Sequence, residues 1–321
     1  MNAPAAPILK LGVSRCLLGE NVRFDGGHKL DHFLRDTLGP FVQFVPVCPE
    51  VECGLPVPRE AMRLVGDPER PRLLTRKTGI DHTERMTAWA ATALDRLESE
   101  DLCGFIFKYG SPSSGMSQVK VYPPDGGVPS KRGVGLFARL FMERFPLLPV
   151  EDEGRLHDPA LRENFLTRIF VMRRWRDFLE NDPTPGKLVD FHTRHKLLIM
   201  AHAIPAYREL GRMVAAARGE ELGALAGDYA TLLFPTLSLL STVKKNVNVL
   251  QHIMGYFKKV LEPDEKRELL AVIGAYGREL TPLIVPVTLL NHYVRKYGQE
   301  YLAGQVYLNP HPLELKLRNH A

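Results

Sequence analysis

The chain has 321 residues, 45% hydrophobic and 25% charged, enough for two domains that each bury a core and ordinary for a globular protein. It lacks the run of about 18 apolar residues that a membrane span needs, and its opening MNAPAAPILKLGV carries no export pattern, so the expectation is a cytoplasmic protein with no membrane partner. Lys and Arg exceed Asp and Glu by 42 to 37, a net +5 that permits a nucleic-acid partner without requiring one. In a reducing compartment its four cysteines point to metal ligands, catalytic thiols or buried hydrophobes rather than disulfides.

The first half alternates two patterns. LGVSR (11–15), FVQFVPV (41–47) and CGFIFK (103–108) are short β-branched or aromatic runs, as strands buried on both faces of a parallel sheet read. HKLDHFLRDTL, HTERMTAWAATALDRLESE and GVGLFARLFMERF show helical spacing between and after them. Strands alternating with helices predict an α/β fold, a parallel-sheet sandwich built from βαβ units. The acidic EDEGRLHD marks a junction, giving domains 1–153 and 154–321. Beyond it the pattern is all-helical: PALRENFLTRIFVMRRWRDFLE, with Asp158 as N-cap and Pro159 at the first helical position, then KLVDFHTRHKLLIMAHA, LFPTLSLLSTVKKNVNVLQHIMGYFKKVL, PDEKRELLAVIGAYGREL and LIVPVTLLNHYVRKYG.

Ligands of α/β sheets gather beyond the carboxyl ends of the strands. There the sequence places Cys16 after the first strand, Cys48, Glu50 and Cys53 after the second, and the serine-rich YGSPSSGM after the third. Cys103 instead begins its strand, ~15 Å from the carboxyl end at about 3.3 Å per residue, and reads as a buried hydrophobe. The C-x4-C spacing of Cys48 and Cys53 is weak by itself and fits two structural thiols as well as it fits ligands. With Cys16 beside them, an iron-sulfur or other metal site becomes a reading of equal standing; no histidine pattern completes a zinc site.

SRCLLGENVRFDGGH, PVCPE, GLPVPREAMRLVG and SPSSGM resemble the thiouracil desulfidase (TudS-like) family over roughly residues 10–150. GRLHDPALRENFLTRIF, FHTRHKLLIMAH, VNVLQHIMGYFK and TLLNHYVRKY resemble the helical domain fused to it in RudS-type tRNA 4-thiouridine desulfidases. The resemblance implies a non-redox desulfuration of a thiolated pyrimidine, with 4-thiouridine in tRNA converted to uridine and hydrosulfide released. It implies a 4Fe-4S cluster held by three cysteines with one iron open to the thiocarbonyl sulfur, a soft Lewis acid suited to it. Glu50 and Ser111 take the places of the residues that handle water, and Cys16 and Cys48 those of two cluster ligands. The family's loop reads SPSCG where this chain has Ser114, so the third ligand does not carry over: either the cluster is lost or another thiol serves, and with Cys103 at the wrong end of its strand that thiol is Cys53, on the loop of Cys48.

Arg23 and Asp25 in NVRFDGG, and Arg59 in VPRE, are candidate substrate-positioning residues, although an Arg-Asp contact bracing a turn explains the first two equally well. Lys131 and Arg132 read as exposed loop cations. In the helical half RRWR (173–176), HTRHK (192–196), the lysine pairs 244–245 and 258–259, and HYVRKY (292–297) set cations beside aromatics, a composition suited to tRNA and equally to a solvated helix face. His192, His195 and His202 have no cysteine or carboxylate to complete a metal set. Two alternatives stay open: a desulfidase of free thiouracil, and a non-catalytic RNA-binding protein.

Overall fold

A computed structural model describes residues 9–219, 221–315 and 317–318. The chain divides into two compact units, Met1–Asp158 and Pro159–Ala321.

In the first unit β1 (Lys10–Ser14) lies beside β2 (Gln43–Val47). A four-residue helix α1 (Pro49–Glu52) follows β2 at once. Next come β3 (Met62–Val65), β4 (Arg72–Thr75), helix α2 (Thr83–Glu98), β5 (Phe105–Phe107), β6 (Val119–Tyr122), β7 (Ser130–Gly133), helix α3 (Leu136–Arg144) and β8 (Val150–Asp152). One sheet has the order β2-β1-β5-β8 with every pairing parallel, the α/β architecture that the alternating runs predict. A second sheet, β4-β3-β6-β7, is mixed: only β3 and β6 run parallel. The sequence reading missed it because each strand is four residues long, and Arg63, Arg72, Lys120, Lys131 and Arg132 interrupt them. HKLDHFLRDTL forms a π-helix over Phe33–Leu38 rather than an α-helix, and a 3-10 turn at Gly39–Phe41 follows it.

Helix α2 joins the two sheets. Its Ala90, Leu94 and Leu97 pack with Phe105, Phe107, Phe137 and Phe141 against the parallel sheet, whereas Met86 packs with Leu64, Leu73, Val119 and Val121 against the mixed one. Trp89 touches both clusters. In the middle of the parallel sheet Gly12 faces the Phe105 ring, and a Cβ at position 12 would lie 2.1 Å from Phe105 Cδ2.

The second unit is helical: α4 (Pro159–Glu180), α5 (Pro185–His202), α6 (Ile204–Ala215), α7 (Leu222–Ser238), α8 (Val243–Tyr256), α9 (Pro263–Gly277), α10 (Ile284–Lys296) and the short α11 (Glu300–Ala303). Trp175 of α4 stacks on Tyr229 of α7 at 5.5 Å and 15°, and Phe178, Phe191 and Phe234 pack around it. The continuous pattern from Leu233 to Leu261 breaks into two helices at Leu239, where Thr242 begins α8 by accepting the Lys245 N–H. Among the described residues no single helix is long and apolar enough to cross a membrane; α7 and α8 together reach that length but are bent by 117°.

Overpacking a filled core costs about 1–3 kcal/mol. Gly12→Ala is therefore expected to lower the urea midpoint of the first unit by a corresponding amount without changing the m-value, as read by chemical denaturation.

Candidate functional site

A cavity of about 360 Å³ opens where β1, β2 and β5 end: Ser14, Val47 and Lys108 are among its lining residues. Ser14 Oγ accepts the backbone N–H of Lys108 at 2.9 Å, tying two of these ends together. The chain turns at once into a 3-10 helix at Arg15–Leu18, bringing Cys16 to the cavity. After β2, Pro49 at the first position of α1 fixes the helical turn, and Cys48 and Glu50 face the same space. Glu52 locks this arrangement, accepting the Cys48 N–H at 2.8 Å and pairing with Arg15 at 3.2 Å and Arg96 at 2.9 Å.

The Glu50 carboxylate is the centre of the polar network. Its Oε1 accepts from Ser113 Oγ at 2.6 Å, and its Oε2 lies 3.5 Å from both Cys48 Sγ and Arg59 Nη2. Ser113 Oγ in turn lies 3.0 Å from Ser111 Oγ, whose oxygen accepts the Ser114 N–H at 3.1 Å. Ser111 and Ser114 line the cavity; Ser113 is fully buried behind them. The loop can pass so close to α3 only because residue 135 is glycine: a Cβ there would meet the Ser113 carbonyl at 2.5 Å.

Arg59 lines the cavity and donates to the Val22 carbonyl at 3.0 Å as well as approaching Glu50. Arg23 also lines it, but Asp25 does not. The Asp25 carboxylate accepts the Gly27 N–H at 3.1 Å and pairs with Arg23 at 3.5 Å; the backbone bond first, then the Arg23 charge, hold it below the usual carboxylate range. That is the turn-bracing role. Sequence reasoning missed Ser113, Lys29, Arg76 and Lys108. Lys108 is the final letter of CGFIFK, so its position at a strand end was the available signal.

The structure brings Cys16 and Cys48 to the cavity but not Cys53. One helical turn carries Cys53 round to the mixed sheet, where it packs against the Leu64 and Met86 cluster, and its thiol approaches the Glu50 carbonyl at 3.3 Å. Cys103 is wholly buried just before β5. Burial pushes the Cys16 thiol up to about 11 and the Cys48 thiol up to about 12, with the Glu50 charge adding to both. Both stay protonated at neutral pH, so a soft cation binding them must displace protons. A cluster held by three cysteines does not fit the described residues, because two thiols and the Ser114 hydroxyl face the cavity and no group of three His, Cys, Asp or Glu forms a metal cage among them.

In the second unit His192, His195 and His202 are core residues. Burial lowers them to about 4, 3 and 4, and they bond separately to Tyr229 Oη, the Phe191 carbonyl and the Leu239 carbonyl. Most of the expected cation-aromatic groups are engaged internally. Arg173 pairs with Asp177 and Glu180, Arg174 is buried and donates to the Pro310 carbonyl at 2.7 Å, and Lys296 pairs with Glu265 at 2.7 Å.

Residues 11–153 match the family described as 2-thiouracil desulfurase, and residues 196–312 match the one described as Protein of unknown function (DUF1722). Uncharacterized protein YbgA of Escherichia coli (strain K12) is 33% identical over 158 residues, 49% of this chain and 94% of that protein. A solved structure described as a 4Fe-4S-dependent thiouracil desulfidase, TudS, is 32% identical, with a TM-score of 0.39 over 48% of this chain and 97% of that one.

After anaerobic reconstitution with iron and sulfide, the chain is expected to hold less than one full cluster, since thiolates are the ligands that such iron takes. Cys53→Ser should leave the iron and acid-labile sulfide content unchanged, and Ser114→Cys should raise it. A full cluster destroyed by Cys53→Ser would show that the loop after β2 rearranges to bring that thiol in.

Proposed function

Because the chain belongs to the family in which a 2-thiouracil desulfurase domain precedes a DUF1722 domain, we propose that it removes sulfur hydrolytically from a thiolated pyrimidine, with 4-thiouridine of tRNA as the substrate. The observation that carries this reading is the Glu50 carboxylate, set into a cavity at three strand ends and fixed by Ser113 and Arg59. In the reaction water oxygen bonds to the thiocarbonyl carbon, the carbon–sulfur bond breaks, and sulfur departs as hydrosulfide. Glu50 takes one proton from the attacking water and the other leaves with the sulfur. No atom changes oxidation state in the net exchange, so no reductant is consumed. Ser111, beside the carboxylate's serine partner, orients the water.

Charge supports a substrate larger than a free base. Six cationic side chains line the cavity, from Arg15, Arg23, Lys29, Arg59, Arg76 and Lys108, against the single carboxylate of Glu50. Four of them have carboxylate partners: Arg15 with Glu52, Arg23 with Asp25, Arg59 with Glu50 and Lys108 with Glu153. Lys29 and Arg76 make no ion pair among the described residues. A neutral thiouracil offers them nothing, whereas the phosphates of a polynucleotide do. The helical unit supplies further contacts, whose binding energy offsets the cost of exposing a base from folded RNA.

Incubation with tRNA containing 4-thiouridine, followed by mass spectrometry of the nucleosides, is expected to show conversion to uridine with one sulfide released per conversion. Tight tRNA binding with no loss of the thionucleoside would instead favour a non-catalytic RNA-binding protein. Glu50→Gln, whose amide cannot accept the proton, is expected to lower kcat by about 10²–10⁴-fold while substrate affinity is retained. Ser111→Ala should give a smaller loss of the same kind. Unaltered rates in Glu50→Gln would remove this carboxylate from the chemistry.

A further inference from the structure

One cation-aromatic group of the helical unit makes no ion pair among the described residues. Tyr256, the last residue of α8, stacks on Tyr301 of α11 with ring centroids 5.1 Å apart and planes at 22°. Lys196 of α5 sets its ammonium over the Tyr301 ring at 4.8 Å. His252, one turn earlier on α8, meets the edge of Tyr256 at 5.8 Å. Three separate helices thus converge to build a ladder of rings capped by a cation. It is open to water at one end: Tyr256 keeps 40% of its surface exposed, and His252, Lys258 and Lys259 beside it are exposed.

This differs from the packing of aromatics elsewhere in the unit, where Trp175, Tyr229 and Tyr293 are buried. An exposed ring stack flanked by lysines offers flat π surface and positive charge together. That combination matches single-stranded nucleic acid, whose bases present faces for stacking and whose phosphates present regular negative charge. Glu300, next to Tyr301, is the one acid adjoining these residues in sequence, against three lysines. A duplex, with its base faces hidden, gains only from the charge. An apolar protein partner gains nothing from the lysines.

We propose that Tyr256, Tyr301 and Lys196 form a stacking platform for an unpaired stretch of RNA. The platform rests on the reading of RNA as the substrate, and it names the part of RNA that the helical unit holds. A base stacks against the exposed Tyr256 and His252 end, and the flanking phosphates lie near Lys196, Lys258 and Lys259.

Two kinds of substitution separate stacking from charge. The test measures binding of a ~12-nucleotide oligouridylate, within the span that such sites cover, and of an RNA duplex of equal length, by fluorescence anisotropy at several salt concentrations. In the full chain Tyr256→Ala is expected to weaken binding to the single strand about tenfold with its salt slope unchanged, and to alter duplex binding little. Tyr256→Phe, which keeps the ring, should bind as the unsubstituted chain does. Lys196→Ala is expected to reduce the slope of log K against log salt by about 0.7, the value for one phosphate contact on a single strand. Circular dichroism and thermal melting confirm that each variant is folded.

Equal single-strand affinity in Tyr256→Ala, or an equal loss on the duplex, would overturn the platform. If in that case the chain still binds RNA and releases sulfide from thiolated tRNA, the reading of its function stands. If the unsubstituted chain binds no RNA, both fall together.

Discussion

The parallel pairing of β1 with both β2 and β5 is the constraint from which the site follows. Parallel strands end on the same side, so Ser14, Val47 and Lys108 arrive at one rim, and the three chain segments that leave them must share one small space. A glycine at position 12 and a phenylalanine at 105 let the central strands pack face against ring. The chemistry is carried by the segments just beyond the rim, and the sheet determines that they meet.

What meets there is electrostatically uneven. The thiols of Cys16 and Cys48 are buried and neutral at physiological pH, while Glu50 is surrounded by a guanidinium, a hydroxyl and a thiol. A carboxylate held by donors on both oxygens loses little by reorganising when a reaction begins, the essence of preorganisation. The excess of cations around it raises the local concentration of polyanions and repels competing cations. The cavity therefore favours anions by its charge alone.

Much of this could be read from the residues in order. Short apolar runs ending in Cys16, in Cys48 with Glu50, and in the serine loop announced the rim, because strand ends and turn residues leave strong local signals. What escaped was decided by rotation and by partners distant in sequence. Cys48 and Cys53 look like a pair on paper, yet five positions around a helical turn send Cys48 to the cavity and Cys53 to the mixed sheet. Ser113 and Ser111 read alike in SPSSG, but only tertiary placement shows that Ser113 grips the carboxylate. RRWR has the composition of an RNA contact, and only tertiary placement shows Arg173 engaged by Asp177 and Glu180 and Arg174 by the Pro310 carbonyl. The four-residue strands of the mixed sheet were too short for a period of two to stand out.

The position of α2 between two hydrophobic clusters has a further consequence. Met86 belongs to one and Ala90, Leu94 and Leu97 to the other, with Trp89 shared, so neither sheet can lose its cover while the other keeps it. The mixed sheet, whose strands are short and charged, is stable only as part of the larger whole, and it borrows cooperativity from the parallel sheet through this helix. Amide protons along the buried side of α2 should therefore exchange with solvent only through global opening, on the timescale of the entire first unit, whereas loops at the rim exchange through local fluctuations. The helix that reaches the site only through the pairing of Arg96 with Glu52 is thus the one that keeps the two sheets a single thermodynamic body.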